Sequence, residues 1–209
     1  MTEPDWLRFA REMQAIAQSG LAFSRDVYDR ERYVQLRDLA SHMMSAHVDA
    51  APERITRFFT AETGYATPKV DVRVALFNPQ GQVLMVREKI DEGRWTFPGG
   101  WADVNLTPAQ NALKELREES GFEGRILKLA AVWDRNSQGH DPDVFSIVKL
   151  FFVGALTGGE ARESVETSGV GWFHKVKIPL NISTARILPH QVVRMFEHWE
   201  NPGLPTDFE

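Results

Sequence analysis

Glu115, Glu118 and Glu119 fall at i, i+3 and i+4 within Pro108-Ala109-Gln110-Asn111-Ala112-Leu113-Lys114-Glu115-Leu116-Arg117-Glu118-Glu119-Ser120. On a helix that spacing puts the three carboxylates within one turn of each other, where like charges repel by a few tenths of a kcal/mol per pair. A shared cation removes the cost. Hard divalent ions such as Mg²⁺ or Mn²⁺ take oxygen ligands and usually pair with substrate phosphates, so the functional reading is a two- or three-metal carboxylate site. Pro98-Gly99-Gly100 lies just upstream and gives the backbone freedom for the Gly100 carbonyl oxygen to join the same ion. Taken alone, the glutamates also fit the solvated outer face of an ordinary helix. The adjoining glycine loop is what favours the metal.

The helix that must carry them has clear ends. Thr107 suits an N-cap, Pro108 the first helical position, Gln110 the third place of a capping box, and Gly121 the residue just past the C-terminus. Ala109, Ala112, Leu113 and Leu116 form its apolar stripe, in a different sector from the glutamates. Around it the chain reads as strands. Residues 69–77 are β-branched and alternating, Asn78-Pro79-Gln80-Gly81 is a turn, and residues 83–87 return as the second arm of a hairpin. Residues 127–133 and 145–153 read as further strands and residues 189–199 as a closing helix. Strands on both sides of a central helix indicate an α/β (α+β) domain.

The first part of the chain is different. Trp6, Leu7, Ala10, Met13, Ile16, Ala17 and Leu21 recur at helical spacing, as do Tyr33, Leu36, Leu39, Ala40 and Met43, and a short third helix follows Pro52. Residues 1–62 are expected to be a helical packing or dimerising unit, residues 63–68 a linker, and residues 69–205 the catalytic domain. Acids outnumber bases in the helical part, which argues against a DNA-reading module. Its apolar faces, with Trp6, Phe9, Met13, Tyr33 and Met43, exceed what so small a unit buries alone, so docking to the rest of the chain or to the mate in a homodimer is expected.

The chain of 209 residues has a net charge of -5 and no cysteine, so disulfides, thiolate zinc sites and a cysteine nucleophile are excluded. The acidic start Met1-Thr2-Glu3-Pro4-Asp5 lacks a signal-peptide pattern, and no apolar run reaches membrane-span length. A cytoplasmic location without a membrane partner is expected.

The glycine loop and helix together resemble the Nudix box, in which a glycine, a glutamate, an Arg-Glu pair, a Glu-Glu pair and a final glycine recur at fixed spacing. Gly100, Glu115, Leu116, Glu118, Glu119, Gly121 and Phe122 are in register, whereas Leu106 and Lys114 stand where the family has Glu and Arg. That absent pair braces loop against helix in the family, and Asp103 is a candidate partner for Lys114 instead. Further stretches, 26–33, 67–73, 134–136 and 166–168, resemble a bacterial branch that joins a helical domain to the hydrolase. The resemblance implies a Nudix α/β/α sandwich around a mixed sheet. It also implies cleavage of a nucleoside diphosphate linked to X, of CDP-choline or ADP-ribose type, to NMP and phosphorylated X. Gly100, Glu115, Glu118 and Glu119 would be the metal ligands, for Mg²⁺ or Mn²⁺. Glu118 or Glu119 would orient the water, or Glu166 on a later loop would serve as the base.

Substrate contacts are expected from Arg73 and Arg87 on the flanking strands, since arginine suits bidentate phosphate contact; each also fits a rim salt bridge. Trp101 and Asp103 beside the glycine loop suit a base or a cationic headgroup. Asp134, Arg135 and His140 fall in a polar loop where specificity contacts occur, with Asp134 equally able to cap a turn and His140 to be solvent-exposed. Processing of RNA ends and a non-catalytic nucleotide-sugar sensor are the competing functions.

Overall fold

A computed structural model describes residues 4–209; Met1, Thr2 and Glu3, which open the acidic start of the chain, lie outside the described residues. Backbone contacts divide the chain into two units, Met1–Pro68 with Asp141–Ser146, and Lys69–His140 with Ile147–Glu209.

The first unit is built from α1 (Asp5–Phe23), α2 (Val27–Ser45) and α3 (Pro52–Ala61). The Asp26 side chain caps α2 by accepting from the N–H groups of Tyr28 and Asp29, both at 3.0 Å. Leu7, Ala10, Ala40, Met44, Ile55 and Phe59 form its core, and Trp6 stacks on His47 at 4.4 Å. Residues 141–146 belong to this unit: Arg11 Nη1 donates to the Asp143 carbonyl at 2.9 Å, and the rings of Phe58 and Phe145 lie 5.1 Å apart. The strand expected to begin at Phe145 therefore starts only at Ile147, because Phe145 is drawn into the helical unit's apolar surface.

The second unit contains β1 (Lys69–Phe77), β2 (Val83–Glu88), β3 (Arg94–Thr96), β4 (Gly99–Trp101), α4 (Pro108–Ser120), β5 (Phe122–Asp134), β6 (Ile147–Gly159), β7 (Thr167–Phe173) and α5 (Pro189–Glu200). The sheet is mixed, in the order β3-β2-β1-β6-β5, with β4 paired to β1 and β7 paired to β2. β1 and β6 run parallel, from Lys69 opposite Ile147 to Phe77 opposite Ala155. Alternate residues of β1 serve two cores. Ala75 and Phe77 join Met195 and Phe196 of α5, whereas Val72, Val74 and Leu76 join Ala112 and Leu116 of α4. A helix thus covers each face of the sheet, and the architecture is the expected α/β/α sandwich.

α4 begins and ends where its caps predict. Thr107 Oγ1 accepts from Gln110 N at 3.3 Å, Gln110 Oε1 accepts from Thr107 N at 2.9 Å, and Gly121 has φ 77°. β3 and β4, at three residues each, are too short to show a period of two, and Gly169 and Gly171 interrupt the pattern of β7.

Candidate active site

β4 brings the glycine loop to the centre of the sheet, with Arg73 opposite Gly99 and Asp71 opposite Trp101. Gly99 has φ 150°, and a Cβ there would stand 2.0 Å from the Val72 carbonyl oxygen, so only glycine fits. In that conformation the Gly99 N–H donates to Glu119 Oε2 at 2.9 Å, tying loop to helix. A second tie comes from Asn111 of α4, which exchanges two hydrogen bonds with the backbone of Asp103, at 3.0 and 3.1 Å. The pairing expected for Lys114 is present as a third: its Nζ lies 3.0 Å from Asp103 and also 3.1 Å from Glu118 and 3.6 Å from Glu115.

Around these ties a cavity of about 540 Å³ opens. It gathers Gly100, Trp101, Asp103, Glu115, Glu119 and Glu166, and Arg73 from below. A smaller adjoining cavity of about 200 Å³ is lined by Glu115, Glu118, Glu119 and Glu166, so the glutamates expected to act together do converge. Trp101, 47% exposed, faces the opening with the exposed side chains of Ile90 and Val165.

Burial pushes the Glu119 carboxyl up to about 8, with Glu115 and Glu88 adding repulsion and Arg73 and the Gly99 N–H opposing. Burial likewise raises Glu115, against the pull of Lys114. Among the described residues no three His, Asp or Glu side chains are drawn together as a ready metal cage. The Lys114 ammonium is shared by Asp103, Glu115 and Glu118. The donor set nonetheless fits a hard divalent ion: it is all oxygen, and a Cβ on Gly100 would come within 3.4 Å of the Glu115 carboxylate.

The floor is a buried ionic network that sequence reasoning missed. Arg73 donates to Asp71 at 2.8 and 3.2 Å and to the Phe97 carbonyl at 3.3 Å, with Glu88 at 3.8 Å. The arginine lines the cavity, but these partners claim most of its donors, and it is buried rather than on the rim. Glu88 also accepts from Arg186 Nε at 3.1 Å, and Lys149 Nζ donates to Asp71. Burial works to raise the Asp71 carboxyl, yet Arg73 and Lys149 outweigh it and hold it below the usual range. Burial drives the Lys149 ammonium down to about 8 against the pull of Asp71. The only signal in the sequence was charge within largely apolar strands: Asp71, Arg73, Glu88 and Lys149.

Four candidates lie elsewhere. Arg87 alternates with Glu88 on β2 and spends its Nε on the Gly93 carbonyl at 3.1 Å, with its guanidinium over Trp95. Asp134 caps the turn that follows it, accepting from Asn136 N at 2.9 Å and Ser137 N at 3.0 Å. Arg135 is buried and absent from the cavity lining. His140 is not solvent-exposed: it is buried, with Nδ1 on the Thr184 carbonyl at 2.8 Å.

Residues 67–191 match the model of the NUDIX domain, and residues 4–59 match that of the UDP-X-like N-terminal oligomerisation domain. The chain belongs to the Nudix hydrolase family, in the branch with this helical domain. YjhB of Bacillus subtilis (strain 168), provisionally named an ADP-ribose pyrophosphatase, is 40% identical over 204 residues, covering 98% of this chain and 97% of its own. The crystal structure of a UDP-X diphosphatase superposes with TM-score 0.62 at 30% identity, with 100% of both chains covered. That of an ADP-ribose pyrophosphatase from Streptococcus suis 89-1591 gives TM-score 0.62 at 29% identity, over 68% of this chain and 100% of its own. Nudix hydrolases generally use divalent metal ions. In this Nudix hydrolase Leu106 and Lys114 depart from the box, and the Lys114–Asp103 pair and Asn111 tie loop to helix. No helix among the described residues is long and apolar enough to cross a membrane.

Proposed function

We propose that this Nudix hydrolase splits the diphosphate of a nucleoside diphosphate linked to X, of ADP-ribose or UDP-X type, into NMP and phosphorylated X. The observation that carries this reading is the convergence of Glu115, Glu119 and Glu166 on one cavity that also offers an exposed tryptophan and the guanidinium of Arg186. Glu115, Glu118 and Glu119, with the Gly100 carbonyl, would hold Mg²⁺ or Mn²⁺. Such an ion supplies charge neutralisation on the diphosphate oxygens and lowers the pKa of a bound water.

The chain's own residues do the rest. Glu166 accepts the proton of the attacking water as its oxygen bonds to phosphorus, while the bridging P–O bond breaks and X leaves with its phosphate. Trp101 offers a face to the base, and Arg186, held by Glu88, meets an anionic part of the substrate. Asp103 stays with Lys114 as a brace, and Arg73 holds the floor. The helical unit leaves Phe9, Ile16, Phe23 and Leu39 exposed, which suits self-association into a homodimer.

The reading is tested by turnover of ADP-ribose, UDP-linked sugars, CDP-choline and triphosphate-ended RNA with Mg²⁺ or Mn²⁺. Glu119→Gln is expected to lower kcat on the best substrate by ~10²-fold or more. Wild-type turnover in that variant at saturating Mg²⁺ defeats the assignment, and light scattering at micromolar concentration checks the dimer.

A further inference from the structure

Glu166 sits on the segment that joins β6 to β7, and that segment is stitched down on two sides. On one side it meets the end of α4: Arg162 N–H donates to the Ser120 carbonyl, and the Thr167 hydroxyl donates to the Glu119 carbonyl, each at 2.8 Å. On the other side stands Lys89, immediately after β2. Its backbone N–H donates to the Glu166 carbonyl at 2.9 Å, and its ammonium donates to the carbonyls of Ser164 at 2.7 Å and Val165 at 3.2 Å. The turn between is closed by Ser164 Oγ, which accepts from Glu166 N and Thr167 N, both at 3.1 Å.

These Lys89 partners are unusual for a lysine on a cavity full of carboxylates. The ammonium turns to two backbone carbonyls, in charge-assisted bonds that are roughly twice as strong as neutral ones. Both carbonyls belong to the two residues before Glu166, so the clamp acts on the backbone that aims its carboxylate. Thr167, the residue after it, is fixed to the peptide of Glu119. Glu166 is thus held between β2 and α4, on the wall it shares with Glu115 and Glu119. A proton acceptor on a loop needs such holding, since a misplacement of ~1 Å can cost 10²-fold in rate.

We propose that Lys89 is the positioning residue for Glu166, acting through the Ser164 and Val165 carbonyls rather than on the substrate. The proposal rests on the reading of Glu166 as the proton acceptor. Lys89→Met is expected to lower kcat by ~10-fold or more with KM changed less than ~3-fold, and Lys89→Arg, which can reach both carbonyls, to restore most of the rate. In a Glu166→Gln background Lys89→Met should change kcat by less than ~2-fold, because the group it positions is already gone.

Hydrogen exchange in residues 160–167, read by mass spectrometry, should quicken in Lys89→Met and stay at the wild-type level in Glu166→Gln. Unchanged exchange in Lys89→Met overturns the clamp, whatever the kinetics. Losses that multiply in the double variant overturn it as well and assign Lys89 to the substrate. Wild-type kcat in Glu166→Gln overturns the role of Glu166, and with it the positioning role, even where exchange still quickens.

Discussion

The ammonium of Lys114 lies 3.0 Å from the carboxylate of Asp103, joining the loop after the glycines to the middle of α4. It also stands within 4 Å of Glu115 and Glu118, two of the proposed metal ligands. Bracing the loop and crowding the metal are therefore opposed effects of one side chain. The ion pair is partly exposed, so Lys114→Met should change the free energy of urea unfolding by less than ~1 kcal/mol. Removing a positive charge beside two carboxylates should tighten Mn²⁺ binding a few-fold, measured by calorimetry. Weaker binding in the variant would mean that the brace, not the local charge, is what Lys114 contributes.

Gly99 and Gly139 both have positive φ, yet only one faces a wall. A methyl on Gly99 would collide with the Val72 carbonyl at 2.0 Å and with Arg73, whereas nothing lies within 4 Å of one on Gly139. Gly139→Ala should cost only the backbone strain, ~1 kcal/mol. Gly99→Ala must part β4 from β1 and break the Glu119 tie, so a loss of ~3 kcal/mol or more is expected in urea titration. Equal costs would show that the sheet yields at Gly99 more readily than its contacts imply.

Much of this was legible in the residues. α4 carries its own caps and period, and its glutamates and glycine loop are adjacent in sequence, so local rules suffice for that half of the site. The other half is assembled by pairing at long range. Asp71 and Lys149 meet because β1 and β6 run parallel, and Glu88 meets Arg186 across the cavity wall. Arg87 and Glu88 show how a strand misleads: adjacent charges point to opposite faces, and nothing in the sequence marks which one faces the cavity. Asp134 and His140 differ in another way: both belong to a polar loop beside a strand end, where Asp134 caps the turn and His140 faces the interior.

His140 gives the clearest pH dependence. Burial holds its imidazole down at about 4, with the nearby charges of Lys149 and Arg135 pressing the same way, while the Thr184 carbonyl and Asp71 oppose. Its Nδ1 donates to Thr184, and its Nε2 meets no hydrogen-bond partner among the described residues, so the folded state holds the neutral ring. In the unfolded chain the ring takes its proton near pH ~6.5. Between those values the unfolded state binds more protons, so stability is full above about pH 6.5 and falls as pH drops toward 4, by on the order of 2–3 kcal/mol. Lys149, titrating at about 8, keeps its charge throughout that window. His140→Gln keeps a donor for Thr184 but cannot titrate. Urea titrations of both proteins from pH 7.5 to 4.5 should therefore show wild type losing its advantage over the variant as pH falls, while the carboxylates common to both cancel in the difference. A difference that stays constant across the range would mean that the ring is protonated in the folded protein as readily as in the unfolded chain.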